Sequence, residues 1–274
     1  MSSDRHASHL SAVQTARHLS DSAPLDWVAR AGLGARSVIY LTMGLLALVL
    51  AQGKRAEVDQ RGALTQLAQQ PFGTLLVVVL CIGFACYAVW RLSEAAFGAV
   101  GEGAKKAPRA QSLVRGIAYA ILAISALSLL LGSRTSQGSQ QRTITARVMD
   151  QAGGKALIFT IGVSIVLVGL FLAWEGVTRR FMKYFPQEST PDGVLRAITG
   201  FGTVGNTVRG LVFTLAGLLV MMAAWQHAPE KASGLDGALK TLRDGPAGFL
   251  LVVAALGLIA FGVYAALEAV YRRV

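Results

Sequence analysis

GALTQLAQQPFGTLLVV, residues 62–78, returns without a gap as GALKTLRDGPAGFLLVV at residues 237–253, with ten of 17 positions identical. Each copy opens with apolar residues at helical spacing (Ala63, Leu64 and Leu67; Ala238, Leu239 and Leu242) among polar ones. A Pro-x-Gly step follows, and then an unbroken apolar run. This pattern predicts a short amphipathic helix lying along a membrane interface and feeding a spanning helix. Pro71 and Pro246 are expected to start those spans, where a missing N–H costs nothing.

The likeness extends in both directions. Downstream, with one gap, Gly83, Trp90 and Glu94 fall opposite Gly257, Tyr264 and Glu268. Upstream, Arg36, Tyr40 and Gly44 correspond to Arg115, Tyr119 and Ala123, and again to Arg209, Phe213 and Gly217. A middle copy therefore exists, with Ala152-Gly153-Gly154 in place of the Pro-x-Gly step and Glu175 opposite Glu94. The unit is an Arg-headed apolar helix, a polar loop with a short helix, and a second apolar helix closing near Glu. It recurs at spacings of 79 and 94 residues between the leading arginines. Residues 27–98, 99–181 and 182–274 form the three repeats, behind a polar tail, 1–26, expected to be disordered and cytoplasmic. Two spans per unit give all three copies one orientation. The expected fold is an all-α membrane protein, six transmembrane helices in three tandem hairpin repeats forming a pseudo-threefold bundle.

Composition points the same way. Of 274 residues, 53% are apolar and 15% charged, against roughly 25% charged in soluble domains. Mean hydropathy is +0.51. Disordered, coiled-coil and most soluble-enzyme classes are excluded, and two cysteines exclude a disulfide scaffold. Six runs lack any charge: Ser37–Gln52, Phe72–Trp90, Gly116–Gly132, Ala156–Trp174, Gly210–Gln226 and Pro246–Leu267. The first is expected to start upstream, near Trp27, if Arg36 snorkels to the headgroups. All seven prolines lie outside these runs or at their first residues, as self-satisfied helices in lipid require. Trp90, Trp174 and Trp225 stand at run ends, where amphipathic rings anchor. The polar N-terminus has no apolar core of a cleaved signal peptide.

The formal net charge is +11, but the basic residues lie between apolar runs, not on one face interleaved with aromatics. They are read as topology signals and as attraction to anionic lipid at cytoplasmic loops, not as a nucleic-acid surface. Arg36, Arg91, Arg115, Arg209, Arg272 and Arg273 lie close to span ends, which favours both termini on the cytoplasmic side.

The Arg-x-x-x-Tyr/Phe-x-x-x-Gly heads, the three two-helix units and the Gly-Ala-Leu…Pro-x-Gly loops resemble the bacterial membrane family called domain of unknown function 1206. The resemblance covers residues 27 to 274. It implies a six-helix protein of the bacterial plasma membrane, and it transfers no activity, cofactor or catalytic residue.

Chemistry-bearing patterns are few. Gly200–Gly205 spells GxGxxG but precedes a membrane helix, not a βαβ crossover. Cys81 and Cys86 point apart on one helix, and His6, His9, His18 and His227 have no thiolate or carboxylate at metal-ligand spacing. No catalytic, cofactor or metal site is expected, and the chain is read as a non-enzyme. The mild polar groups within the runs, among them Thr42, Ser125, Thr160, Ser164 and Thr214, are expected to bridge helices. What remains is Arg36, Arg115 and Arg209 at the odd heads, with Glu94, Glu175 and Glu268 at the even ends. All six would meet at the cytoplasmic face as a ring of ion pairs.

Two functions are compatible with this reading. One is a noncatalytic scaffold or regulatory subunit, its protein partners unspecified. The alternative is a small-solute channel or carrier on the threefold axis, arranged like mitochondrial carriers but lacking their Pro-x-acidic-x-x-basic signature. A dry axis favours the first and a polar cavity the second.

Overall fold

A computed structural model describes residues 23–97, 106–133, 136–186, 190–245 and 248–272. It is all-helical over those residues. Six helices are long and apolar enough to cross a bilayer: α1 (Ala23–Ala51), α3 (Gly73–Phe97), α4 (Lys106–Leu130), α6 (Gly154–Val177), α7 (Asp192–Gln226) and α9 (Phe249–Tyr271). Three short helices alternate with them: α2 (Gln60–Ala68), α5 (Gln137–Met149) and α8 (Gly234–Asp244). Each apolar run forms a helix over its described residues, and each unit carries its loop helix, including the diverged middle copy.

The spans exceed the runs mainly on the side of the charged residues. α1 starts at Ala23, inside the stretch assigned to the tail; residues 1–22 lie outside the described ones. α7 has 35 residues, about 50 Å at 1.5 Å per residue, so it extends beyond a roughly 30 Å hydrocarbon layer. Arg209 sits in its middle. Gly200–Gly205 therefore lies within a continuous helix, and no loop is left to cradle a phosphate.

The expectation that proline starts the even spans does not hold at Pro71. Pro71 lies in the turn before α3, and Phe72, 86% exposed, takes a left-handed φ of 61° to make the bend. The middle copy places Gly153, φ 78°, at the same point, where no side chain opposes that conformation. Pro246 lies outside the described residues.

Packing follows a register that the repeat unit hides. The even span of each unit packs most closely on the odd span of the next: α3 on α4, α6 on α7, and α9 back on α1. Within units, α1 meets α3 and α7 meets α9, whereas α4 and α6 scarcely touch among the described residues. The six spans are thus arranged in the order α4, α3, α1, α9, α7, α6, with unit 2 divided between the two ends.

Small residues set the close approaches. On α6, Gly162, Gly169 and Gly176 recur every seven residues and lie against Gly217, Gly210 and Thr207 of α7, where backbones touch. Repeat alignment makes these positions Cys81, Ala88 and Ala95 on α3, and Ala255, Gly262 and Ala269 on α9. The residue after each leading arginine faces the same seam. Ser37 Oγ donates to the Gly262 carbonyl at 2.8 Å, Gly116 lies against Leu92, and Gly210 against Ala173. The Cys81 thiol donates to the Ala123 carbonyl at 3.5 Å.

Few of the mild polar groups bridge helices. Thr42, Thr160, Ser164 and Thr214 donate to carbonyls four residues back in their own helices, and Ser128 to Ser125. A hydroxyl in lipid satisfied this way needs no neighbour. Association rests on backbone proximity instead.

One apolar cluster runs the length of the molecule, from Tyr264 and Tyr119 at the end where α1 begins and α9 finishes to Leu64, Val58 and Leu239 at the other. Ile39, Met43, Ala47, Phe84 and Leu258 fill its middle with at most 1% exposure. The short helices close the far end. Asp59 caps α2 by accepting from Gly62 N–H at 2.8 Å, and Asp236 of α8 accepts from Val58 N–H at 3.0 Å. Arg61 ties α2 to α4 through Ser128 Oγ and the Ser133 carbonyl, each at 2.8 Å.

Candidate functional site: an arginine–aromatic cluster at the terminal end

Glu268 lies near the end of α9, 3% exposed, and is gripped from two sides. Arg36 of α1 donates to Oε2, and Arg272, one turn on from Glu268, donates to Oε1. The first pair joins unit 1 to unit 3 and staples the first span to the last. The Arg36 guanidinium also lies over Phe261, 5.2 Å from its centroid, with a buried Nε that has no hydrogen-bond partner.

The other arginines are placed differently. Arg209 turns toward rings: Phe261 at 4.3 Å, Tyr40 at 5.5 Å and Phe213 at 5.7 Å, again with an unpartnered buried Nε. It makes no ion pair with half-buried Glu175 among the described residues. Arg91 donates to the Tyr87 hydroxyl from Nε at 3.0 Å and lies over Trp90 at 4.3 Å. Arg115 is half-buried, with Arg36, Arg91, Arg272 and Glu268 as electrostatic neighbours, and has no ion pair or hydrogen bond among the described residues. The Glu94 side chain lies outside the described residues. Of the six positions read as a ring, the structure thus joins Arg36 to Glu268, while Arg209 is held by aromatic faces.

Tyr119 follows Arg115 by one turn. It is 8% exposed, packs against Tyr87 with tilted rings 4.3 Å apart between centroids, and its hydroxyl has no partner. The leading residues of all three odd helices therefore converge here: Arg36 with Tyr40, Arg115 with Tyr119, and Arg209 with Phe213. A buried guanidinium over an aromatic face gains from the ring quadrupole, by about 2 kcal/mol when desolvated.

Two further arginines repeat a contact that sequence reasoning missed. Arg30 donates to the Ala269 carbonyl at 2.9 Å and also to that of Val270, in the last turn of α9. Arg109 donates to the Ala95 carbonyl at 2.9 Å and also to that of Ala96, in the last turn of α3. These positions are equivalent in the repeat, six residues before Arg36 and Arg115. Each satisfies carbonyls that a helix end leaves open and places positive charge at the negative dipole end. The common six-residue offset was the available signal.

At the far end, two buried carboxylates, Asp59 (3% exposed) and Asp236 (5%), lie near each other. Burial, and then the neighbouring charges of Asp236 and Glu57, push the Asp59 carboxyl up to about 6 against the opposing Gly62 N–H. Lys240 pairs with Asp236 at 2.7 Å. A cleft of about 470 Å³ beside them is lined by Arg55, Glu57, Lys240 and Arg243, and another of about 460 Å³ by Asp192, Arg196 and Thr199 of α7. No group of three or more metal-binding side chains occurs among the described residues.

The profile of one protein family, described as Domain of Unknown Function (DUF1206), matches the chain three times, over residues 31–98, 110–179 and 204–272. These segments coincide with the three Arg-headed units. Uncharacterized protein YxxB of Bacillus subtilis (strain 168) is 29% identical over 253 residues, covering 90% of this chain and 92% of that protein. No solved structure matches.

Proposed function

The chain belongs to the DUF1206 family, and from that premise we propose a noncatalytic scaffold or regulatory subunit of the bacterial plasma membrane. The observation that carries this reading is the filled core. The apolar cluster from Tyr264 to Leu64 occupies the space between the spans, and the short helices close over it. A channel or carrier would line that route with polar groups, whereas the described clefts are confined to the ends. The buried Ser37, Arg61, Asp236 and Glu268 each bond to a different element, which suits a rigid platform.

In this reading both termini are cytoplasmic. The support is the concentration of Arg30, Arg36, Arg91, Arg109, Arg115 and Arg272 at the end where α1 begins and α9 finishes. Basic residues there also meet anionic headgroups. Reconstitution into liposomes tests the function directly. Influx of a panel of ions, sugars and amino acids should equal that of empty vesicles, and a saturable flux for any one of them would replace this reading with the carrier.

A further inference from the structure

We infer that the terminal-end cluster is a binding site for a phosphate-bearing anion, entering from the side between α4 and α6. This goes beyond the platform role, which requires no ligand.

Three observations converge. The first is charge. Arg36, Arg115, Arg209 and Arg272 bring four guanidiniums into one partly buried region, where the described carboxylates are Glu268 and Glu175. Glu268 is already shared by two of the arginines. A region of this kind, close to the headgroup level of a membrane, is stabilised by an incoming anion. Guanidiniums are suited to phosphate through paired, charge-assisted hydrogen bonds.

The second observation is unused hydrogen-bonding capacity. Tyr119 is more than nine-tenths buried with its hydroxyl unpartnered, and its electrostatic neighbours are Arg36, Tyr87, Tyr40 and Glu268. Buried hydroxyls are normally satisfied, because an orphan loses its hydration without return. Arg115, one turn earlier on the same helix, has neither ion pair nor hydrogen bond among the described residues. A phosphate oxygen between Arg115 and Tyr119 would satisfy both.

The third is access. The two spans of unit 2 scarcely touch, so the row of helices is open between its ends. Exposed apolar side chains stand at this end of both spans, Val114 next to Arg115 on α4 and Trp174 and Val177 on α6. Acyl chains would lie against such side chains while a headgroup reached Arg115. A phospholipid and free phosphate share the anchoring chemistry, and the experiment separates them.

Full-length protein in detergent, stripped of lipid, is titrated with dioleoyl phosphatidic acid, with inorganic phosphate, and with phosphatidylcholine; the midpoint of thermal unfolding is followed. Phosphatidic acid should raise it saturably and phosphatidylcholine should not. Stabilisation by phosphatidic acid alone identifies a lipid headgroup; equal stabilisation by inorganic phosphate identifies a free anion. Arg115→Gln should weaken the apparent affinity about tenfold, and Tyr119→Phe, which removes only a hydroxyl, about threefold. Arg196→Gln, on the exposed surface of α7, should leave it unchanged. Should Arg115→Gln not fold, Tyr119→Phe decides. Equal responses to all three additives, wild-type affinity in Tyr119→Phe, or an equal loss in Arg196→Gln would overturn the site.

Discussion

Glu268 shows how one residue decides the fate of a helix end. Its carboxylate neutralises Arg36 from one side and Arg272 from the other while almost out of reach of solvent. Glu268→Gln leaves two partly buried guanidiniums without a counter-charge and should destabilise the fold by roughly 3–5 kcal/mol, read as a lowered unfolding midpoint. Arg36→Gln should cost less, because Arg272 still compensates the carboxylate. The reverse order would show that Arg272 does not compensate Glu268 once Arg36 is gone. Asp59 presents the opposite balance. Its carboxyl is raised to about 6 against an ordinary value of 3.8, so ionisation works against folding. The penalty is absent below about pH 4, grows as pH rises through 6, and is constant above, on the order of 3 kcal/mol. Asp59→Asn keeps an acceptor for Gly62 N–H and should therefore be more stable than wild type at pH 7.5 and equal to it near pH 4. Thermal unfolding at the two pH values checks this, and a variant less stable at pH 7.5 would refute it.

Among the elements, the glycines of α7 carry opposite expectations within six residues. A Cβ on Gly200 meets nothing, so Gly200→Ala should stabilise the helix by about 0.5–1 kcal/mol through reduced chain entropy. A Cβ on Gly205 runs into the Phe261 backbone, so Gly205→Ala should lose about 1–3 kcal/mol by forcing α9 away. A nucleotide loop would show loss at both positions; circular dichroism melts of the two variants separate the cases. The existence of every span was legible in the sequence, because an uncharged apolar run leaves the backbone one way to satisfy itself in lipid. So was each loop helix, from Ala63, Leu64 and Leu67 and their equivalents. Span partners were not. The repeat Arg-x-x-x-aromatic-x-x-x-small marks a seam, but nothing in a single chain says which helix fills it. Arg209 resisted reading for a similar reason: its rings, Tyr40 and Phe261, come from other helices.

For the whole molecule, orientation is the main testable consequence. The loops suggest Val58, Gly138 and Ser233 as labelling sites, but all three are buried. Exposed positions at the same end are Lys54, Ser139 and Glu230, and Arg196 is exposed on the opposite side. With both termini inside, Lys54→Cys, Ser139→Cys and Glu230→Cys should react with an impermeant maleimide in intact cells, and Arg196→Cys only after permeabilisation. The inverse pattern would reverse the orientation and remove the basis for cytoplasmic lipid contacts.

The pairing of α9 with α1 also has a meaning in time. A ribosome delivers α1 some two hundred residues of synthesis before its main partner, α9. α3 and α6 meet their partners as soon as the next span enters the bilayer, so those two seams close early. α1 must wait beside lipid with Ser37 and Arg36 unmatched until the last span arrives with the Gly262 carbonyl and Glu268. α9 thus acts as a clasp that closes the bundle on α1. Nascent chains halted before Phe249 should consequently be cleared by membrane proteases faster than chains that include α9, a difference that pulse-chase labelling measures.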